Sequence, residues 1–181
     1  MPFRSATAAG AVDVHYNDVG GATAALIVCS ELALAMVRAE HLANVPHVAP
    51  YEPGALFKRE LPCIGAVLAL NGPLDLLVID GYATLDPHGR PGLGAYAADA
   101  FNLPVIGVAK TPFRTATHAI EVIRGTATRP LYVTAAGGIG IDEAARIVAG
   151  MAGPHRVPSA LARVDRLARG RAQPIVVRGT P

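Results

Sequence analysis

The stretch Leu74–Asp80, LDLLVID, is a run of mainly apolar residues that ends on an acid. Such a run is typical of a strand that is buried on both faces of a parallel sheet. A second stretch of this kind, Pro104–Ala109 (PVIGVA), follows the long loop Gly81–Gly92 and a predicted helix over Leu93–Phe101. Strand, helix and strand in this order predict an α/β protein.

Strands also precede this unit. Ala11–Tyr16 (AVDVHY) alternates between apolar and polar residues, Asn17–Gly21 is a turn, and Ala22–Cys29 returns as a second strand. Glu31–Ala43 suits either a helix or a buried strand. We favour a third strand, because the alternation of turn and strand is already established.

The rest of the chain alternates between helices and strands. Residues 44–57 hold three prolines and a glycine and are predicted to be a loop. A helix is expected from about Leu61, with Pro62 tolerated in its first turn, and it ends at Asn71–Pro73. Beyond the central unit we expect strands and a turn, then two helices, at His118–Ile123, Pro130–Thr134, Ala135–Gly138, Ile141–Met151 and Leu161–Arg169. The fold class is therefore α/β with a mixed central sheet.

Length and composition indicate one globular domain. The chain has 181 residues, of which 51% are hydrophobic and 17% charged, which excludes a disordered charged polymer. We expect residues 1–181 to form a single domain, with 1–10 and about 172–181 as disordered or extended tails. No apolar run approaches the ~20 residues of a membrane span, and the N-terminus lacks an apolar signal core, so we expect a cytoplasmic protein. Cys29 and Cys63 lie in apolar segments and are expected to be buried free thiols.

Charge is distributed unevenly along the chain. The formal net charge is +2, but from Arg146 to the end there are seven arginines and a single acid, Asp165. A basic end on an acidic body favours a polyanionic partner such as nucleic acid. The alternative is that arginine is simply the usual base of this chain, since it has only two lysines.

Three acids occupy positions that are costly for a structural residue. Asp13 lies inside the first predicted strand, Asp80 ends the central strand, and Glu60 follows the proline-rich loop. Carboxylates gathered at the ends of neighbouring strands are typical ligands for hard cations such as Mg²⁺. Each acid taken singly has an alternative as a turn cap or an exposed edge residue. Lys110, at the end of PVIGVAK, either points into the same site or extends its ammonium group to solvent.

Six stretches follow one another along nearly the whole chain. They are VDVHY with Asp13, YEPGALFKRE with Tyr51 and Glu60, LLVIDG with Asp80, GVAK with Lys110, PLYVTAAGGIGIDEAARIV, and VPSALARVD with Asp165. In this order they resemble the endonuclease V family, nucleases that act on deoxyinosine-containing DNA and, in some members, on inosine-containing RNA. No single stretch is specific, and the resemblance depends on the ordered set.

The resemblance implies an RNase H-like sheet and a metal-dependent endonuclease that cuts on the 3′ side of deoxyinosine or inosine. It implies that Asp13, Glu60, Asp80 and Asp165 hold Mg²⁺, with Mn²⁺ as the second choice, and that Lys110 stabilises the charge of the transition state. The expected partner is DNA or RNA containing inosine, bound by a monomer that does not associate with membranes. The residues expected to bind it are Tyr51, Pro53, Gly54, Gly81 and Gly137.

Some positions depart from the family pattern. Asp86 stands where the family usually has a histidine, and Ala136-Gly137 replaces a Gly-His pair. Ala160-Leu161-Ala162 replaces Pro-Thr-Arg near the C-terminus. The four acids are retained, so these departures concern substrate specificity more than metal binding.

Three hypotheses from different classes follow. The first is an active endonuclease for inosine-containing nucleic acid. The second is a repurposed nucleic-acid-binding protein of the same family that lacks inosine-specific cleavage. The third is an α/β enzyme that acts on a small phosphorylated substrate with the same acids and metal.

Overall fold

A seven-stranded mixed sheet forms the centre of the molecule. The computed structural model describes residues 8–175. In chain order the elements are β1 (Ala9–Tyr16), β2 (Ala22–Cys29), β3 (Val37–Val45), α1 (Phe57–Leu68), β4 (Leu76–Asp80), α2 (Leu93–Phe101), β5 (Val105–Ala109), β6 (Ile120–Val122), β7 (Leu131–Ala136), α3 (Ile141–Gly150) and α4 (Ser159–Ala168). Their order across the sheet is β3-β2-β1-β4-β5-β7-β6.

The strands form two groups. β1, β2 and β3 are an antiparallel meander. The strand that we favoured for Glu31–Ala43 is present from Val37 onward, whereas residues 31–36 form a turn and loop. β1, β4 and β5 run parallel, and their carboxyl ends therefore meet at one edge of the sheet. β7 is antiparallel to β5, and β6 pairs with β7. The sequence predicts this mixed sheet, and the family resemblance implies its RNase H-like arrangement.

Helices cover both faces of the sheet. On one face α1 and α2 pack over a core that includes Leu26, Ile64 and Ile79. On the other face α3 and α4 pack over a core that includes Ile27 and Ile106. Alternate residues of each buried strand contribute to the two cores, which explains why the strands are apolar throughout. Both cores share the one sheet, so the described residues form a single domain.

Some element boundaries differ from those expected. Helix α1 begins at Phe57 rather than near Leu61, so Glu60 belongs to its first turn and Pro62 lies inside the helix. Proline removes a single backbone hydrogen bond, and the preceding FKRE segment remains helical despite it. The last strand extends through Ala136, where we expected a turn from Ala135.

The expected tails are only partly within the described residues. Residues 1–7 and 176–181 lie outside them. Ala9 and Gly10, which we assigned to a tail, pair with both neighbouring strands. Cys29 and Cys63 are buried free thiols, as the sequence predicts. Among residues 8–175, no helix has the length and apolar character needed to cross a membrane.

Candidate active site

The parallel strands bring two acids and a lysine together. The register pairs Val12 with Ile79, which makes Asp13 and Asp80 neighbours on adjacent strands. Lys110 directly follows β5, on the other side of β4. Its Nζ donates a hydrogen bond to Oδ2 of Asp80 at 2.6 Å. Both side chains of this ion pair are about two-fifths exposed, so the pair is open to solvent.

Helix α4 adds a third carboxylate. Asp165 lines a small cavity of about 10 Å³ together with Asp13, Asp80 and Lys110. Its Oδ1 accepts a hydrogen bond from Arg169 Nε at 2.8 Å. Burial alone would raise the pKa of Asp165, but the hydrogen bond and charge of Arg169, helped by Lys110, lower it below its ordinary value.

Asp13 is the most perturbed of these acids. Burial raises its pKa from 3.8 to about 7, and repulsion from Asp80 and Asp165 adds to the effect. A backbone hydrogen bond from Val14 and the charge of Lys110 oppose it. Near neutral pH, part of the Asp13 population is therefore protonated unless further positive charge enters the cluster.

Glu60 approaches the same cluster from the opposite face of the sheet. It lines a second cavity of about 10 Å³ with Asp13 and Asp80. Its Oε1 accepts a hydrogen bond from the hydroxyl of Tyr16 at 2.9 Å. The guanidinium of Arg59 lies over the Tyr16 ring at 4.0 Å from the centroid. Burial raises the pKa of Glu60, while Tyr16 and Arg59 partly offset this.

The donor set suits a hard cation in its chemistry. Carboxylate oxygens are the ligands that Mg²⁺ and Mn²⁺ accept, and the repulsion that raises the pKa of Asp13 would be relieved by positive charge. As the side chains are placed, no three His, Cys, Asp or Glu residues between 8 and 175 form a group that could hold a metal ion. Asp80, Glu60 and Asp165 are directed instead toward Lys110, Tyr16 and Arg169. Binding a cation would therefore require these carboxylates to move closer together.

An apolar pocket of about 400 Å³ opens directly beside the acids, and Asp80 and Gly81 form part of its wall. Phe57 of α1 and Tyr96 of α2 line it and stack on each other, with ring centroids 3.9 Å apart. The other lining residues are Gly54, Leu56, Tyr82, Leu85, Arg90, Pro91, Gly92, Leu93 and Phe113. A pocket of this size with aromatic walls suits a planar organic ring.

The loop before α1 contributes Gly54 and Leu56 to the wall of this pocket. Gly54 lines the pocket and has a φ of +77°, a conformation that favours glycine. Tyr51 is 68% exposed, an unusual position for an aromatic residue that serves only to anchor a loop. Pro53 lies between them in the chain and is exposed.

The two predicted glycines lie at opposite edges of the sheet. Gly81 follows β4 and lines the pocket, with a φ of +112°. Gly137 follows β7, whose antiparallel direction carries it to the far edge, where a Cβ would lie 2.5 Å from the Leu103 carbonyl oxygen. The structure therefore does not bring Gly137 together with the acids and the pocket.

Two of the residues that depart from the family pattern, Asp86 and Leu161, have defined local contacts. Asp86 closes a turn by accepting hydrogen bonds from the backbone N–H groups of His88 and Arg90. These hydrogen bonds lower the pKa of Asp86, and the one from the Arg90 backbone contributes most. Leu161 lines the cavity of Asp165 and adds an apolar wall to it. Ala162 does not line the described pockets.

The C-terminal arginines are only partly available to a polyanion. Arg163 binds Glu40, Arg169 binds Asp165, and Arg156 donates to backbone carbonyl oxygens. Arg146, Arg166 and Arg171 are exposed. The basic region is thus partly internal, which the charge count alone does not show.

Sequence reasoning missed the aromatic members of the site. Tyr16 holds Glu60, and Phe57 and Tyr96 form the pocket wall. Tyr16 had a usable signal, since it ends the same strand that carries Asp13. Phe57 and Tyr96 lie on two helices, and their contact depends on how those helices pack.

Comparison with known proteins agrees with these observations. The family model described as Endonuclease V matches residues 3–166. The Endonuclease V of Streptomyces coelicolor is 35% identical over 179 residues, which cover 87% of this chain and 76% of that protein.

Solved structures share the fold. The crystal structure of the Endonuclease V from Streptomyces avermitilis has a TM-score of 0.78 and 28% identity, covering 94% of this chain and 84% of that chain. Ciona intestinalis Endonuclease V, solved in complex with a 24mer DNA containing an inosine followed by a ribo-adenosine, has a TM-score of 0.77. It is 19% identical and covers 92% of this chain and 86% of that chain, so it supports the fold alone.

Proposed function

Because the chain belongs to the endonuclease V family, we propose that it is a Mg²⁺-dependent endonuclease acting at inosine or deoxyinosine in nucleic acid. It would cleave a phosphodiester on the 3′ side of the modified nucleotide. The observation that carries the proposal is the position of Asp80, which lines both acidic cavities and the apolar pocket. Asp80 therefore belongs both to the acidic cluster, where the reaction would occur, and to the wall of the pocket that would hold the base.

The acids supply the metal site. Asp13, Asp80, Glu60 and Asp165 would hold one or two Mg²⁺ ions, with Mn²⁺ as a substitute. A bound ion of this kind lowers the pKa of a water molecule and stabilises the leaving 3′ oxygen. The burial of Asp13 between two other carboxylates supports this assignment, since the cluster carries more negative charge than its own bases offset.

Lys110 supplies positive charge beside the reacting phosphate. Its ammonium group binds Asp80 in the free protein, at an exposed position from which it can exchange partners. From this position Lys110 would donate to a non-bridging phosphate oxygen of a bound substrate. A donor at that point stabilises the negative charge that develops in the transition state.

The apolar pocket would receive the modified base. A base turned out of the stack gains stacking contacts, and the Phe57–Tyr96 wall and Tyr82 offer aromatic surface for them. Stacking on aromatic side chains is worth about 1–3 kcal/mol per base. Gly81 presents backbone without a side chain in the same wall, which allows a base edge to approach closely.

The exposed Tyr51 would fill the space that the base leaves. It lies on the loop that also carries Pro53 and Gly54, and Gly54 lines the pocket. An inserted aromatic ring can stack on the neighbouring bases and stabilise the opened strand.

A nicking assay tests the proposal. Inosine-containing and unmodified oligonucleotides, as DNA and as RNA, single- and double-stranded, are incubated with the protein and Mg²⁺. We expect cleavage on the 3′ side of inosine that requires Mg²⁺ and is lost in Asp80→Ala. Lys110→Ala should lose most activity, whereas Lys58→Ala, which removes the other lysine from an exposed ion pair, should cleave normally.

The contrary outcomes distinguish the other hypotheses. No cleavage, together with binding that weakens steeply with salt, would indicate a repurposed nucleic-acid-binding protein. No cleavage and no salt-dependent binding would exclude the nucleic-acid partner and favour a small phosphorylated substrate. Cleavage that persists in Asp80→Ala would refute the site.

A further inference from the structure

We propose that Arg156 is a positioning residue for Lys110. It holds the backbone from which the lysine side chain extends, and it does so from outside the sheet. The proposal rests on the function proposed above for Lys110. Arg156 itself contacts none of the carboxylates of the site.

Arg156 joins two strands at the point where their own pairing ends. β5 and β7 are paired up to Ala109 and Tyr132. One residue after Ala109, the carbonyl oxygen of Lys110 accepts a hydrogen bond from Nη2 of Arg156 at 2.5 Å. Two residues before Tyr132, the carbonyl oxygen of Pro130 accepts from the same nitrogen at 2.6 Å. The two N–H groups of one guanidinium nitrogen are enough for both bonds.

The loop that carries Arg156 is itself fixed by a second arginine. Arg124, 6% exposed, donates from Nη1 to the carbonyl oxygens of His155 and Arg156 at 3.0 and 3.3 Å. Its Nη2 donates to the carbonyl oxygens of Met151 and Gly153. Four carbonyl groups of one loop are thus held by one buried side chain. The backbone of Arg156 is therefore held in place by Arg124.

The backbone after Lys110 has a further attachment. The hydroxyl of Tyr82 donates to the carbonyl oxygen of Thr111 at 2.8 Å. A lysine side chain has four rotatable carbons, so the reach of its ammonium group is set largely by where its backbone is held. Arg156 and Tyr82 fix two consecutive carbonyl groups, and this limits the positions open to Nζ.

Arginine is also a candidate for direct contact with phosphate, and the first experiment separates the two roles. Arg156→Ala and Arg156→Lys are compared with Arg129→Ala, which removes an exposed arginine beside Pro130. A positioning role predicts that kcat falls by about 100-fold in Arg156→Ala, with KM changed by less than about twofold. Arg156→Lys keeps a positive charge and a hydrogen-bond donor group, so its kcat should lie between those of Arg156→Ala and the wild type. Arg129→Ala should match the wild type.

Binding at increasing salt gives an independent reading. The positioning role leaves the salt dependence of binding unchanged in Arg156→Ala. Loss of a phosphate contact would instead reduce the slope by about 1 and raise KM, and that result would overturn the proposal. Far-UV circular dichroism confirms folding, and Arg156→Lys serves if Arg156→Ala does not fold.

The second experiment needs no activity. The chain has only two lysines, so protein labelled with ¹³C and ¹⁵N in lysine gives one ε-methylene signal each for Lys58 and Lys110. We expect the Lys110 signal to show restricted motion in the wild type and in Arg129→Ala, and increased motion in both Arg156 variants. The Lys58 signal serves as an internal control.

The two experiments fail in different ways. An inactive wild type refutes the proposed function, while the lysine spectra still decide whether Arg156 holds Lys110. An active wild type with normal kcat and an unchanged Lys110 signal in the Arg156 variants refutes the positioning role alone.

Discussion

Asp13 concentrates the electrostatic cost of the site in one residue. Val12 and Val14 flank it along β1 and Ala25 faces it on β2, while repulsion comes from the carboxylates of Asp80 and Asp165. A residue kept in such a place lowers the stability of the protein, which is common where a side chain serves chemistry rather than packing. The cost is measurable in the absence of metal.

Asp13→Asn should stabilise the metal-free protein at pH 8. The pKa of Asp13 is about 7 in the folded state, against 3.8 ordinarily. Between those values the folded state retains a proton that the unfolded state has lost, so the wild type loses stability as pH rises. The asparagine variant lacks this loss, and we expect it to be more stable by as much as about 4 kcal/mol at pH 8 and by little at pH 4.

Urea unfolding in the presence of a chelator at both pH values measures the difference. Asp142→Asn, which changes an acid in the first turn of α3, is the control and should show no such pH-dependent gain. An Asp13→Asn variant no more stable than the wild type at pH 8 would contradict the interpretation.

At the scale of elements, the loop after β4 and strand β5 are packed against each other without space between them. Gly107 lies in β5, where a Cβ would stand 2.4 Å from the backbone nitrogen of Ala83 and 2.6 Å from the carbonyl oxygen of Gly81. The Ala83 N–H also donates to Oγ1 of Thr134 on β7, at 2.7 Å. The position of the pocket wall is thus determined by the absence of a side chain on the neighbouring strand.

Gly107→Ala should therefore alter the shape of the apolar pocket more than the arrangement of the acids. The new methyl group must displace residues 81–83, because both close atoms belong to the backbone. We expect at least a 10-fold loss of preference for inosine over unmodified substrate, since a shift of about 1 Å in a positioned group is costly. Gly65→Ala faces only the Phe101 side chain at 3.3 Å and serves as the control.

Relative cleavage of inosine-containing and unmodified strands gives the preference. Equal preference in Gly107→Ala and the wild type would show that the loop can move without consequence.

At the scale of the whole molecule, one ion pair connects the edge of the sheet to the last helix. Glu40 of β3, with no exposed side-chain surface, accepts hydrogen bonds from Nε and Nη2 of Arg163 at 2.8 and 2.9 Å. The backbone N–H of Ile175 donates to the same carboxylate at 2.7 Å. Arg163 thereby holds the meander and α4 together, and its hydrogen bonds lower the pKa of Glu40.

Removing either partner should have unequal effects. Arg163→Met leaves the carboxylate of Glu40 buried without its cation and should cost about 3–5 kcal/mol of stability. Glu40→Gln leaves Arg163, which is 26% exposed, with access to water and should cost less. Replacing both by methionine should restore much of the loss. A double-mutant cycle by chemical denaturation measures the coupling, and additive losses would contradict it.

The Glu40–Arg163 ion pair also makes the stability of the protein depend on pH. Because the folded pKa of Glu40 is lowered from its ordinary 4.5, its contribution is complete above that pH. It is lost as the pH falls through the lowered pKa, when Glu40 is protonated in the folded state. Glu40→Gln should therefore lose less stability than the wild type on acidification below pH 4.5.

The sequence predicts most of the architecture because apolar runs report burial directly. The central strands and the acids at their ends follow from that signal alone. Strand direction does not follow from that signal, and the antiparallel β7 places Gly137 at the edge of the sheet away from the acids. The Phe57–Tyr96 wall and the Arg156 bridge depend on contacts between distant segments, and no local pattern encodes them.

The separation of the two sheet edges offers a practical handle. Gly72 is exposed at the edge far from the acids, and a side chain added there meets no atom within 4 Å. Both native thiols are buried. A cysteine introduced at position 72 would therefore react with a thiol-reactive surface in preference to Cys29 and Cys63. Molecules tethered through it would all present their acidic edge to the solution, in the orientation that single-molecule recording requires.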